Sequence, residues 1–275
     1  CGMLTVTEHI FKRQLTPAEE SEFYTWLRLP NGVFKTTADQ RMADLNAMVI
    51  EHWRQDSFAP QSIMDVGVSS GITTAEFFDD MHAAGLDVDI TATDLVLTAD
   101  VVPLWPGSYS IARDGDALRH VIFGASLRSW PRRLDRVTGY ALVRRLANTL
   151  AARHTPNRTG RVLLVSPRAL RGDAITWTED DLLASPNPGF AQRFDVVRAA
   201  NILNIAYFSA PQLTTALRNL RQRLKGPGAR LIVNRTLLDD TNHGTMFQLD
   251  QDGRFRAEAR IGTGSEIEDL VLSLP

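Results

Sequence analysis

The stretch Asp65-Val66-Gly67-Val68-Ser69-Ser70-Gly71 decides how this chain folds. The apolar run Ser62–Val66 leads into it as a short strand, and residues 74–84 follow as a helix. Glycines at 67 and 71 let the backbone turn sharply and let a ligand approach without a Cβ in its way. The first N–H groups of the helix have no partner inside it, so they face the crevice at the carboxyl end of the strand. One β-α-β unit later, residues 88–93 read as a second strand that ends at Asp94, with Leu95 beside it. A carboxylate in that place can accept both hydroxyls of a ribose, and a glycine turn followed by such an acid is the logic of adenosine-ligand binding. A dinucleotide site calls for G-x-G-x-x-G, which brings a helix N-terminus to a pyrophosphate. The pattern here is D-x-G-x-S-x-G. Its opening acid repels a diphosphate and suits a cationic amino-acid ligand.

Outward from this stretch, strands and helices alternate. Residues 194–198 and 230–234 read as two further buried-type strands. A helix over 211–225 is closed by Gly226-Pro227-Gly228. Asp252-Gly253 between two alternating runs signals a terminal hairpin. The expected fold is therefore α/β: a Rossmann-like, doubly wound, mostly parallel seven-stranded sheet ending in an antiparallel hairpin. Residues 1–60 read as an N-terminal helical cap, with a capping-box start at Thr16-Pro17-Ala18-Glu19 and a stripe of Met42, Leu45, Val49 and Trp53. The Rossmann-like domain then covers 61–275. Residues 98–172 interrupt it and are expected to carry their own structure, including a hairpin at Asp114-Gly115 and an amphipathic helix over 140–153.

Composition narrows the function classes. The chain has 275 residues, 44% of them hydrophobic, so disorder is excluded and a large core can be buried. No apolar run approaches the roughly 18 residues that a membrane span needs, and no basic-then-apolar leader pattern opens the sequence. The expected location is the cytoplasm. The single cysteine excludes a disulfide framework. The six histidines show no H-x-x-x-H spacing, and no metal site is expected. Of the 30 basic residues 27 are Arg, and the net charge of −2 conceals a separation. Residues 124–172 hold 11 Arg and one acid, whereas residues 236–275 hold three Arg and eight acids. The Arg-rich stretch is a candidate surface for an anionic partner.

Residues 65–71 resemble motif I of the class I S-adenosylmethionine-dependent methyltransferases, with Ser69 in place of the usual middle Gly. Several segments follow that family's order: Asp94, then Thr178-Glu179-Asp180-Asp181, then residues 193–204 with Asn201, then Gly226-Pro227-Gly228 before the fifth strand. The resemblance implies S-adenosylmethionine as cofactor. It implies contacts from Asp65, Gly67, Ser69 and Gly71, ribose binding at Asp94 with Leu95 adjacent, and adenine binding at Asp180 or Asp181. A distant likeness to the chemotaxis-receptor glutamate methyltransferases adds Asn201, and also Thr37 and Arg41 from a segment that has lost that family's two aromatics. The methyl acceptor is unidentified. The absence of an N/D-P-P-Y/F/W tetrapeptide after the fourth strand places a small molecule or protein ahead of nucleic acid. Candidate bases near the mouth are Asn204, Tyr207 and His243, none distinguished from the others. Two alternatives stand. One is a non-catalytic module that binds the same cofactor. The other is an α/β-hydrolase, because Gly67-Val68-Ser69-Ser70-Gly71 also spells G-x-S-x-G with Ser69 as nucleophile.

Overall fold

The computed structural model describes residues 3–29, 35, 39–136, 138–154, 160–185 and 187–274. In chain order its elements are α1 (Val6–Phe11), α2 (Pro17–Thr25), α3 (Ala43–Gln55), β1 (Ser62–Val66), α4 (Ile72–Ala83), β2 (Asp89–Asp94) and β3 (Thr98–Trp105). Then come β4 (Ser108–Arg113), β5 (Asp116–Ile122), β6 (Ala125–Arg128), α5 (Tyr140–His154), β7 (Arg161–Leu163), β8 (Ile175–Glu179) and β9 (Val196–Ala200). The chain closes with α6 (Ala210–Arg223), β10 (Arg230–Thr236), β11 (Asn242–Leu249), β12 (Phe255–Ile261) and α7 (Glu268–Leu272). No helix among the described residues is long and apolar enough to cross a membrane.

These elements form two compact units, residues 1–38 with 96–168 and residues 39–95 with 169–275. The helical cap expected over 1–60 is therefore corrected. The two helices α1 and α2 join the inserted segment, whereas α3 joins the parallel sheet, packing on α4, β11 and β12. The reason is the stripe Leu45, Val49 and Trp53, which is buried within that second unit.

The α/β unit holds the seven-stranded sheet in the order β12-β11-β10-β9-β1-β2-β8. Strands β8, β2, β1, β9 and β10 are mutually parallel, and β11 and β12 fold back antiparallel. This is the doubly wound arrangement read from the sequence. Met64, Val66, Val197, Ala199, Leu231 and Val233 form one inner face against Leu213, Leu217 and Leu220 of α6. A strand covered on both faces cannot alternate apolar with polar, which is why β9 and β10 read as near-continuous apolar runs. The turn at Asp252-Gly253 closes the hairpin with Gly253 at φ 76°.

The β unit holds a five-stranded antiparallel sheet in the order β6-β5-β4-β3-β7. The expected hairpin joins β4 to β5, with Asp114 and Gly115 both at positive φ as a two-residue primed turn requires. The remaining three strands extend it into a sheet. Its core is completed from 70 or more residues upstream, because Val6, Ile10, Phe23, Tyr24 and Leu27 pack with Val101, Ile111, Val121 and Leu164. Helix α5 sits on this sheet through Ala147 and Ala151, which bury against Leu104.

One polar contact fixes α5. The buried His120 of β5 meets the Asn148 side chain through Nε2 at 2.6 Å, and Asn148 Nδ2 donates to Ser129 O at 3.1 Å. Burial holds the imidazole below its ordinary value of 6.5, with the Arg144 charge adding to the effect and the Asn148 contact opposing it. A base whose folded-state value is depressed contributes fully to stability above the unfolded value and loses that contribution as pH falls below it. The melting temperature of the protein is expected to fall between about pH 7 and pH 5, and His120→Gln is expected to reduce that fall. Scanning calorimetry across this range makes the comparison, and parallel slopes for the two proteins would refute it.

Candidate functional site

The glycine turn is held by its neighbouring strand. Gly67 and Val68 both donate their backbone N–H to Thr93 O, at 2.8 and 3.2 Å, and Ser69 N donates to Asp94 Oδ2 at 2.7 Å. Three residues of the turn take positive φ: Gly67 at 71°, Ser69 at 55° and Gly71 at 82°. The serine that replaces the middle glycine thus adopts the left-handed conformation a glycine would have supplied. Space explains the two glycines. A Cβ on Gly67 would lie 2.9 Å from Ile202 Cβ, and one on Gly71 would collide with the ring of Trp177. Ser70 Oγ is buried in this turn with no hydrogen-bond partner among the described residues.

Asp65 has a different surrounding from the one its motif implies. Its carboxylate accepts from Arg198 Nε at 3.0 Å, from Arg198 Nη2 at 2.6 Å and from Thr74 Oγ1 at 2.7 Å. Asp65 is 2% exposed and Arg198 1%. The guanidinium also donates to Thr73 O at 3.0 Å and lies 4.2 Å from the centre of the Phe77 ring. Asp65 and Arg198 are direct partners in the β1–β9 register. The acid that opens the turn is therefore engaged in a two-pronged buried ion pair. It was read as facing a cationic ligand, and that reading is corrected: a carboxylate with both oxygens satisfied inside the core supports the loop from below.

The acids at the strand ends differ in the same way. Asp94 and Glu179 are register partners at the ends of β2 and β8, and Asp180 N donates to Asp94 O at 3.0 Å. Asp94 is half-buried and Leu95 is exposed. Asp180 accepts from Arg223 Nη1 at 2.6 Å, and that pair is buried against α6. Of the two candidate adenine-facing acids, Asp180 is thereby committed to the fold. Asp181 is exposed, with one carboxylate oxygen accepting from Leu183 N at 2.9 Å. The structure thus brings Asp94, Leu95 and Asp181 to adjacent strand ends beside the glycine turn.

The remaining candidates have partners of their own. Asn201 takes φ 59°, accepts from Thr236 N at 2.6 Å and donates through Nδ2 to Thr236 Oγ1 at 3.1 Å, which clasps the ends of β9 and β10. Arg41 precedes α3 and its carbonyl accepts from Asn242 Nδ2 at 2.7 Å. Its Nε is buried with no hydrogen-bond partner among the described residues, and burial holds the guanidinium below its usual value, with Glu76 opposing and Arg198 adding to the effect. Thr37 lies outside the described residues.

Sequence reasoning missed Arg198, although a signal was present. A lone charge inside the buried run Val196-Val197-Arg198-Ala199-Ala200 demands a counter-charge, and Asp65 is the acid in the preceding parallel strand. It also missed Ile202 and Trp177, whose side chains define the two glycine positions. His52, Asp56 and Glu258 gather their ligand atoms within 4.8 Å of one another. Arg230 donates to Asp56 and to Glu258, each at 2.8 Å, which makes the cluster an ion-pair network. His243 meets Thr241 Oγ1 through Nε2 at 3.2 Å and Thr263 Oγ1 through Nδ1 at 2.8 Å.

The donor set can be tested against S-adenosylmethionine. The adenosine half fits: Asp94 offers a carboxylate to ribose hydroxyls, Leu95 offers an apolar face to a purine, and Asp181 offers an acceptor to an exocyclic amine. For the amino-acid half, Arg41 Nε is a buried donor with no acceptor among the described residues, and such a donor matches a carboxylate. Asp65 offers nothing to the ammonium group.

The ion pair yields a prediction that separates the two roles of Asp65. Breaking a buried pair by removing one partner costs about 3–5 kcal/mol, whereas replacing both by apolar groups is often neutral. Asp65→Asn should therefore lower unfolding stability by about that amount, and Asp65→Leu combined with Arg198→Met should recover most of it. Urea denaturation reads the effect. A stable Asp65→Asn protein would show that the pair is dispensable.

No known family profile matches the chain, and no curated protein is similar to it in sequence. Solved structures do share features with it at low identity. The N-methyltransferase NodS from Bradyrhizobium japonicum, in complex with S-adenosylhomocysteine, is 13% identical over 78% of this chain and 70% of its own, with a TM-score of 0.36. The DszA carbon methyltransferase is 15% identical over 86% of this chain and 43% of its own, again with a TM-score of 0.36. The methyltransferase domain of the citrinin polyketide synthase is 14% identical over 69% of this chain, with a TM-score of 0.33. The chain spans 35% of that last structure, about a third of its length. Likenesses at this level carry no residue roles. The site rests on its own geometry: a glycine turn, a strand-end acid and an exposed apolar neighbour at the carboxyl edge of a doubly wound, mostly parallel sheet.

Proposed function

We propose that the α/β unit binds S-adenosylmethionine at the carboxyl ends of β1, β2 and β8 and that the protein transfers its methyl group to a small-molecule or protein acceptor. The observation that carries this reading is the convergence of Asp94, Leu95 and Asp181 beside the Gly67–Gly71 turn. The cofactor supplies an activated methyl on a sulfonium. When bound, that methyl carbon would be open to an acceptor lone pair, with a neutral thioether as the leaving group. The chain's own task is then to hold the two reactants in line and to keep water out. Asp94 fixes the ribose, and Ser69 N holds Asp94 by occupying one of its oxygens. The backbone of the turn gives close approach where Gly67 and Gly71 lack a side chain. No proton need be moved unless the acceptor is protonated at working pH, so the reading requires no catalytic triad.

A second reading is favoured by one observation, the engagement of Asp65 with Arg198. A site built for the adenosine half alone would serve a binding module without turnover. Calorimetry with S-adenosylmethionine and S-adenosylhomocysteine addresses the first reading. Micromolar binding is expected, with Asp94→Ala weakening it by at least about tenfold through loss of two charge-assisted hydrogen bonds. Unchanged affinity in Asp94→Ala, or no binding by the parent protein, would sink the site assignment. Transfer of label from methyl-labelled cofactor to an extract separates the enzyme from the module.

A further inference from the structure

The β unit carries a surface of its own. Counted over residues 1–38 and 96–168, it has 16 basic and 8 acidic residues, a net +8. The other unit, with 14 basic and 24 acidic residues, carries −10. The near-neutral chain is thus a basic unit joined to an acidic one. Asp135, the one acid within 124–172, is buried and already shared by Arg128 at 2.7 Å and Arg144 at 3.9 Å. Arg132, Arg133, Arg145, Arg153 and Arg161 are exposed.

Apolar side chains stand out among these charges. On α5, Ala147 and Ala151 face the sheet, while Leu142 is 75% exposed, Leu146 56% and Val143 45%. At 100° per residue, Leu142, Val143, Leu146 and the partly buried Leu150 span an arc of about 100° along one flank of the helix. Arg153 falls inside that arc and Arg145 lies next to it. At the β5–β6 turn, Phe123 takes φ 48° and stands 74% exposed. A bulky residue with positive φ is uncommon, and here it leaves an aromatic ring in solvent. Phe123 packs at a tilt on Trp105, which belongs with Leu150 to the small cluster under α5.

We propose that the outer flank of α5, with Phe123, is a docking surface for an anionic lipid bilayer: apolar side chains enter the headgroup boundary and the surrounding arginines meet lipid phosphates. The combination of a leucine flank with adjacent arginines is what an interfacial helix needs, and the basic charge of the unit is complementary to an acidic leaflet. Nucleic acid is the other polyanion to weigh. The rings of Trp26, Trp130 and Tyr140, which would stack bases, are already covered by guanidinium groups. Arg132 lies 4.8 Å from the ring centres of both Trp26 and Trp130, and Arg128 lies 4.6 Å from that of Tyr140. Exposed leucine and valine offer nothing to a phosphodiester chain. This surface is independent of methyl transfer.

Co-sedimentation of the full chain with vesicles tests it. Phosphatidylcholine vesicles containing about 30% phosphatidylglycerol should retain the protein, pure phosphatidylcholine should not, and retention should weaken with salt. Leu142→Ser with Leu146→Ser, both at exposed positions and with the fold checked by circular dichroism, should lower retention at least about tenfold. Arg145→Gln with Arg153→Gln should lower it and flatten its salt dependence. No retention by acidic vesicles overturns the proposal. So does wild-type retention of the leucine double variant, or tighter binding to polyuridylate than to the vesicles.

Discussion

The buried pair between Asp65 and Arg198 is the interaction on which the α/β unit turns. It joins β1 to β9 at equivalent positions, reaches α4 through Thr73, Thr74 and Phe77, and reaches α3 through Asn46. A charge in the middle of a buried strand is costly unless every donor and acceptor around it is satisfied. Here the guanidinium finds a carboxylate, a backbone carbonyl, an amide oxygen and an aromatic face. The glycine turn begins at Gly67, two residues after Asp65, so its geometry inherits the rigidity of the pair with Arg198. The strand-end carboxylate of Asp94 is in turn placed by the turn, through the N–H of Ser69.

The α/β half of the fold was legible because its signals are local. Apolar runs of strand length, a glycine turn and a strand-end acid can each be read within a window of a few residues, and Asp94 with Leu95 emerged where the β-α-β spacing placed them. The β unit was not legible as a sheet, because its core is assembled from two distant segments. Val6 and Phe23 show helical spacing without revealing that their partners are Val101 and Val121. The site shows the same division. Ser69 and the two glycines were readable as backbone requirements. The commitments of Asp65, Asp180 and Asn201 were hidden, because Arg198, Arg223 and Thr236 lie 35 or more residues away.

A polar residue at a motif position can therefore serve the motif or the scaffold, and its hydrogen-bond partners decide which. Asp94 is half-buried and Asp181 exposed, whereas Asp65 and Asp180 are engaged by buried arginines. The two arginines reach the sheet from its two faces, one beneath α4 and one from α6. Each neutralises a carboxylate near the carboxyl edge of the sheet, so fewer negative charges remain there than the sequence alone implies.

The division of charge between the two units has a practical meaning for handling the molecule. An isoelectric point near 6.3 predicts weak retention on any ion exchanger at neutral pH. That figure is an average over halves that behave oppositely. A patchy surface binds a resin through whichever patch faces it, and the net charge of the whole governs only long-range forces. The protein is thus one that cation and anion exchangers both hold, released from each by salt and not by a shift in pH across its isoelectric point.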